Sequence, residues 1–318
     1  MTPIFPRQWK NESLRLAFFL LLFLAGLSGL IAPQALNGQE KGKRILNVGY
    51  SSLMISNVDL KDAQVALKVW SDMLERDKKG QWEQEASVYK DTQDLVQAYK
   101  EGKADIIAFT VLEYLLNKDQ VEMTPELVGN VGNDPCQQNL LLVHKSSGIT
   151  DLKGLRGKKL IVENMGTGQV PFMWLEILLK RLGLEPVAEF FSQVKVVQKP
   201  SQAATPVFFR QADACIVRIA GFDTLVEMNP QFQRDLRILA SSPAYLRGIT
   251  CYRKNFDPED RKELMASALK LHETAKGQQI LTLFKVDRIV LFKPEFLKTA
   301  EGLLEEYQRL FPGAERKP

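Results

Sequence analysis

Histidine and cysteine are scarce: the 318-residue chain holds two histidines, His144 and His272, and three cysteines, Cys136, Cys215 and Cys251. No Cys-x-x-Cys spacing occurs and no histidine accompanies a candidate serine or cysteine nucleophile, so zinc, thiol-redox and nucleophilic catalysis lack their residues. An odd number of thiols allows at most one internal bridge, and three buried, unreactive cysteines are the expectation. Excess charge of either sign is missing too. With 42 Lys and Arg against 38 Asp and Glu, the balance is too even for a protein that neutralises nucleic-acid phosphates. Beyond the first 38 residues no apolar run is long enough to span a bilayer.

What is present begins with a targeting pattern. Arg7, Lys10 and Arg15 precede the apolar run Leu16 to Ile31, and the polar, turn-prone APQALNGQEKGK follows. Residues 1–38 therefore read as a signal peptide, with cleavage after Ala35 or Gly38, or as a retained N-terminal membrane anchor. No cysteine follows the run to take a lipid. A periplasmic or extracytoplasmic location is expected, possible anchoring included.

From Arg44 the chain alternates short β-branched runs with amphipathic segments, the pattern of α/β layers with a mostly parallel sheet. Ile45 to Tyr50, Glu85 to Tyr89 and Asp105 to Thr110 read as strands. Between the first two, Ala66, Val69, Trp70, Met73 and Leu74 recur at helical spacing, and Gly80 ends the stretch. The alternation restarts after Pro135 with NLLLVHK and Lys159 to Glu163. A helix follows to Gly183, with Phe172, Leu175, Leu178, Leu179 and Leu182 as its apolar stripe. VAEFF, VKVV, a helix over Ser201 to Arg210 and the strand Ala214 to Val217 continue this second unit. LRILASSPAYLRGITCYRK reads as one extended passage, and the remainder as helical. The simplest arrangement has two lobes and two crossings, one lobe from 39–134 plus 247–318, the other from 135–246. Loops at the carboxyl ends of the strands, after Tyr50, Thr110, Glu163 and Val217, would line the cleft between them.

One loop has the composition of an anion site. Asn164-Met165-Gly166-Thr167-Gly168-Gln169 leaves a strand and opens a helix, where glycines expose backbone N–H groups, the helix start supplies donors and Thr167 adds a hydroxyl. An ordinary strand-to-helix turn uses the same glycines, and no Gly-Lys-Ser/Thr follows, so this is not a nucleotide-triphosphate loop.

Several phrases carry a resemblance: VGYSS, GKADIIAF, SSGITDLKGLRGKKLIV, the Gly-Thr-Gly loop, QADACIV and GQQILTLFKVDRI. Over residues 45 to 310 the chain resembles the phosphonate, phosphite and phosphate substrate-binding proteins of ABC transporters. That resemblance implies a two-lobed type 2 periplasmic-binding fold, each lobe a mixed, mostly parallel sheet flanked by helices. It also implies ligand contacts from Asn164, Gly166, Thr167, Gly168 and Gln169, although Gly166 replaces a hydroxyl residue of the family's loop. In the turn Lys199-Pro200-Ser201-Gln202, Ser201 matches the family and Gln202 stands in place of histidine. Arg218 follows ACIV where aminophosphonate binders resemble one another in having an acidic group, which suits an oxyanion better than an amine. Tyr50, Ser51 and Ser52 would face the ligand from the first lobe, with Thr110 opposite. Tyr114 is a weaker candidate inside a helix. Tyr245 and Arg247, on the return crossing, read as hinge packing.

The function implied is capture of a small phosphate- or phosphonate-like anion by a monomer that closes around it and delivers it to an inner-membrane ABC permease. No cofactor, metal, catalytic residue or nucleic acid enters this reading. A ligand-sensing domain for a membrane signalling partner is the alternative, and an enzyme on the same fold a further one.

Overall fold

The computed structural model describes residues 44–54, 61–62, 64–66, 68–69, 82–132, 134–164 and 169–313. The targeting segment 1–38, Trp70, Met73, Leu74 and Gly80 of the first expected helix, and Met165, Gly166, Thr167 and Gly168 lie outside them. Residues 61–62, 64–66 and 68–69 are helical, with Ala66 buried.

Strands form where β-branched and apolar residues run between polar or glycine-rich ends. The first group is β1 (Arg44–Ser51), β2 (Trp82–Tyr89), β3 (Ile106–Thr110) and β4 (Met123–Asn130). A short strand, β5 (Cys136–Gln137), leads to β6 (Asn139–His144), β7 (Lys159–Glu163), β8 (Gln193–Val197), β9 (Ala214–Arg218) and β10 (Leu236–Ser241). Then β11 (Tyr245–Leu246) returns the chain to β12 (Gly248–Arg253), and β13 (Arg288–Leu291) comes last.

They assemble into a six-stranded sheet in the order β13-β4-β12-β3-β1-β2 and a five-stranded sheet in the order β10-β6-β9-β7-β8. Both sheets are mixed. Parallel pairing joins β1 to β2 and β3, and β7 to β8 and β9, where a helix lies between successive strands. The strands that arrive through a crossing, β6 and β12, run antiparallel to their neighbours because the chain enters each sheet from its opposite end.

The helices follow as α1 (Thr92–Lys100), α2 (Val111–Asn117), α3 (Val170–Arg181), α4 (Val187–Phe190), α5 (Pro200–Phe208), α6 (Ile219–Met228), α7 (Gln231–Asp235), α8 (Pro258–Leu269), α9 (Ala275–Leu283) and α10 (Lys298–Leu310). VAEFF forms the turn α4, whereas VKVV lies in β8. Asp91 caps α1 by accepting the Gln93 N–H at 2.7 Å, a cap worth about 1 kcal/mol. Leu95, Val96 and Tyr99 bury the inner face of α1.

Four of the five residues of the expected α3 stripe hold: Leu175 and Leu179 are buried, Phe172 and Leu178 pack half-buried against the same cluster, and Leu182 is exposed; Val170, Met173, Trp174 and Ile177 are buried in addition. The reason is that α3 is covered on two sides. Trp174, Leu175 and Leu179 pack with the second sheet's Leu141, Val162 and Ile216, while Val170, Met173 and Ile177 join Leu112, Leu246 and Leu303 in a separate cluster. The C-terminal helix α10 completes that cluster, and Arg181 donates to both carboxylate oxygens of Glu306 at 2.8 and 2.7 Å.

The two crossings pair with each other: Tyr245 lies opposite Gln137, and Leu246 opposite Cys136. Tyr245 is fully buried, and its hydroxyl accepts from the Asn139 side chain at 2.7 Å. The Ser242 hydroxyl accepts the Asn139 N–H at 2.9 Å. All three thiols are free, Cys215 and Cys251 buried and Cys136 half-buried. Burial pushes the Cys136 thiol up to about 11, and Asp134 adds to the shift, so the thiol stays protonated at neutral pH.

Candidate functional site

Strands β7 and β9 are parallel neighbours, so their last residues, Glu163 and Arg218, end at the same edge of the second sheet. Arg218 donates to Glu163 Oε1 through Nε at 3.0 Å and one terminal nitrogen at 2.7 Å, and its backbone N–H reaches Oε2 at 3.1 Å. The Glu163 side chain is fully buried and that of Arg218 is 16% exposed. A carboxylate this deep needs a partner of this kind, since leaving it unpaired costs several kcal/mol, roughly 3 or more. The same pair brings two helix starts together. A Cβ on Gly221, in the first turn of α6, would sit 2.9 Å from the Pro200 ring at the start of α5 and 3.7 Å from Glu163 Oε2.

Three further cations share this neighbourhood. Lys199 precedes α5. Arg247 follows the return crossing and donates to the carbonyls of Phe284 at 3.1 Å and Lys285 at 3.4 Å. Those carbonyls close the C-terminal end of α9, where the helix dipole favours a cation. Loss of solvent, and then the nearby Arg218 guanidinium, push Arg247 down to about 10. Lys285, held in left-handed backbone at φ 54°, is lowered first by loss of solvent, then by Arg218, against the opposing pull of Glu163, and further by Arg247 and Lys199. Arg218 is the cation bonded to Glu163; Arg247 and Lys285 lie within electrostatic reach of Arg218, Lys199 within reach of Lys285, and among the described residues no acid pairs with Arg247. The electrostatic consequence is a locally positive neighbourhood that an oxyanion can neutralise.

On the first sheet the hydroxyls are arranged differently. The Ser51 and Thr92 hydroxyls each donate to Glu113 Oε1 at 2.6 Å, and the Thr110 backbone N–H donates to Oε2 at 2.8 Å. The Thr110 hydroxyl accepts the Glu113 N–H at 3.2 Å, closing the cap of α2. Ser51, Thr110 and Glu113 are all buried. Ser51 and Thr110 therefore spend their hydroxyls inside the protein, and Ser52 sits beside the Lys90 carbonyl at 3.4 Å.

The other sequence candidates divide. Tyr50 stacks on Phe284, ring centroids 6.3 Å apart, so it stands next to the carbonyls that hold Arg247. Burial raises its phenol above the ordinary value, and Tyr252 adds to this. Asn164 donates its N–H to Val197 O at 2.7 Å beside Glu163, while Gly166, Thr167 and Gly168 lie outside the described residues. Gln169 opens α3 and lines a groove bordered by Phe172, Glu176 and Tyr307 rather than the cation cluster. Gln202 accepts the N–H groups of Gln198 and Lys199 at 3.2 Å each, the work of a helix cap. Ser201 sits beside Pro200 in the first turn of α5. Tyr114 is buried in α2.

Sequence reasoning missed Glu163 and Glu113 as anchors and Lys285 and Lys199 as cations, and assigned Arg247 to hinge packing. Only Glu163 had a signal available, a charged residue ending an otherwise apolar strand. Among the described residues, no group of His, Cys, Asp and Glu could hold a metal.

Two mixed α/β sheets joined by a pair of crossings define a solute-binding protein of the type 2 periplasmic-binding fold. The chain belongs to the ABC-transporter phosphonate periplasmic substrate-binding protein family, whose pattern matches residues 54–295. It is similar in structure to XAC2383 from Xanthomonas citri, solved bound to ATP, with TM-score 0.63, 20% identity, and coverage of 85% of this chain and 99% of that one. The binding-protein component of an ABC phosphonate transporter from Pseudomonas aeruginosa gives TM-score 0.58 at 17% identity, covering 84% and 88%. PhnD1 from Prochlorococcus marinus, in complex with methylphosphonate, gives 0.57 at 17% identity, covering 83% and 98%. At these identities the likeness shows the fold. No curated protein matches the chain.

Membership sets the coarse role: a transport protein that binds a small solute outside the cytoplasmic membrane and works with a membrane permease. Among the described residues no helix is long and apolar enough to cross a membrane.

Proposed function

We propose that the chain captures a phosphate- or phosphonate-like oxyanion between two lobes, 39–134 plus 247–318 and 135–246, and delivers it as a closed, monomeric complex to an ABC permease. The observation that carries this reading is the Arg218–Glu163 pair at the strand ends of the second sheet, with Arg247 and Lys285 within electrostatic reach of Arg218 and Lys199 within reach of Lys285. Arg247 and Lys285 belong to the first lobe, Arg218 and Lys199 to the second. An oxyanion between them relieves repulsion that otherwise opposes approach of the lobes, so binding and closure favour each other.

The paired crossings β5 and β11 are the segments that bend. The Gln137 side chain of β5 donates to the Tyr245 hydroxyl of β11 at 3.3 Å, and beside them the Asn139 side chain and N–H donate to Tyr245 and Ser242, which keeps the two strands together while the sheets move. Arg247 follows β11 directly, so bending there moves a cation of the site. The captured solute leaves unchanged; no residue is assigned a catalytic role, and the N-terminal segment 1–38 serves export or anchoring.

A thermal-shift screen of the purified protein tests the assignment. Phosphate, phosphite or methylphosphonate should raise the melting temperature by several degrees, as expected for a ligand at about 100 times its Kd, which adds about 2.7 kcal/mol. A neutral or cationic solute that stabilises the protein, with every oxyanion inert, refutes the anion assignment.

A further inference from the structure

Between α3 and the C-terminal helix α10 runs a groove of about 670 Å³, the size of a small-molecule site. Its lining includes none of Arg218, Arg247, Lys285 and Lys199. Helix α3 presents Phe172 and Glu176, one turn apart on the same face, and the end of α10 presents Tyr307 and Phe311, whose ring centroids are 4.8 Å apart. Leu112 and Leu116 of α2 add an apolar wall.

Glu176 is the single charged residue in this lining, and its bonding is incomplete. Oε1 accepts the Val187 N–H at 3.0 Å, while Oε2 is buried with no hydrogen-bond partner among the described residues. Lys180, one turn further along α3, does not fill the gap, because its ammonium stands over the Phe311 ring, 5.7 Å from the centroid. Loss of solvent raises the Glu176 carboxyl above its ordinary range, against the pull of the Val187 N–H. Burial and then Glu176 raise the Tyr307 phenol, so carboxyl and ring are close neighbours. A buried carboxylate oxygen without a donor carries a desolvation penalty that a visiting donor offsets.

The lining also restricts what can visit. One carboxylate and no cation make it unfavourable to an anion. A metal ion needs several ligands, and among the described residues no group of His, Cys, Asp and Glu supplies them. Aromatic rings beside a carboxylate favour a cation that carries hydrocarbon, with the charge on the oxygen and the apolar body against the rings.

We propose that this groove is a second binding site, for a small primary amine with a compact apolar body, its ammonium donating to Glu176 Oε2 and its hydrocarbon packed against Phe172, Tyr307 and Leu116. The site goes beyond the oxyanion reading and does not depend on it.

Isothermal titration calorimetry of the purified protein with 2-phenylethylamine at neutral pH tests it. The amine should bind saturably, with 2-phenylethanol and 3-phenylpropionate, similar in shape but neutral and anionic, at least about tenfold weaker. No binding of the amine, or equal binding of all three, overturns the proposal. Glu176→Gln keeps an acceptor for the Val187 N–H and should weaken the amine by about tenfold or more. Gln308→Lys, at an exposed position in the lining, introduces a competing cation and should do the same if the first variant does not fold. Undiminished affinity in either folded variant removes the amine from the groove. Arg316 and Lys317 follow Gly313, which lines the groove, so replacing both with serine tests whether the chain's own tail is the occupant. Amine affinity within about threefold of the parent supports the proposal, and a larger gain assigns the groove to the tail instead.

Discussion

Two buried carboxylates, each beside the start of a helix at a strand end, are satisfied in opposite ways. Glu113, below the first sheet's edge, accepts from two hydroxyls and a backbone N–H, neutral donors that enclose it completely. Glu163, at the second sheet's edge, accepts from a guanidinium, which Arg247 and Lys285 approach within electrostatic reach. A carboxylate held by neutral donors of the fold is a structural endpoint, because its acceptor sites are filled and it leaves no cation for a visiting anion. One that anchors a cation within a cationic group is a positioning device, because Arg218 is held in place while the group as a whole stays positive. Hydroxyls at strand ends look alike in a sequence, and this contrast separates those that hold the fold from the cations proposed to meet the solute.

Substitutions can break the contrast, and the largest effect should come from Arg247. Among the described residues its charge has no carboxylate partner, so Arg247→Met should weaken oxyanion binding by about a hundredfold, measured by calorimetry, the usual scale for a charge-assisted contact. The same residue should set an alkaline limit. Because its proton is held less tightly than in a free guanidinium, oxyanion affinity should decline as pH rises through about 10, with bound anion moving that limit upward.

Glu113→Gln should do the reverse of Arg247→Met: a loss of about 2 kcal/mol in urea unfolding, with oxyanion affinity within threefold of the parent. A matching collapse of affinity would show that the first carboxylate also serves the solute. Glu163→Gln sharpens the comparison from the other side. Freed from its anion, Arg218 should bind oxyanions about tenfold more tightly, with steeper salt dependence, at a stability cost of about 1 to 3 kcal/mol. The smallest effect, at most about threefold in Kd, is expected for Lys285→Gln, whose charge is screened by solvent.

Much of the architecture was legible because it is local. Runs such as Ile106 to Phe109 and Leu160 to Val162 are apolar, β-branched and bounded by polar or glycine-rich turns, and they fold as the strands that pattern dictates. The face of α3 toward its own sheet was legible, but its second buried face was not, since periodicity finds one face and this helix has two neighbours, its own sheet and α10. The site was legible only by type of residue. Arg218 stood out as a cation at a strand end, but its partner Glu163 lies 55 positions away. Lys285 and Arg247 meet through carbonyls that close a helix far along the chain. Ser51 and Thr110 carried the right groups for a ligand, and the fold turned them onto Glu113 instead.

The account depends most on where an oxyanion sits. Crystals of the protein soaked in arsenate, measured at the arsenic absorption edge, should show an anomalous peak within hydrogen-bond reach of both Arg247 and Arg218. A peak elsewhere, or none under saturating arsenate, would contradict it.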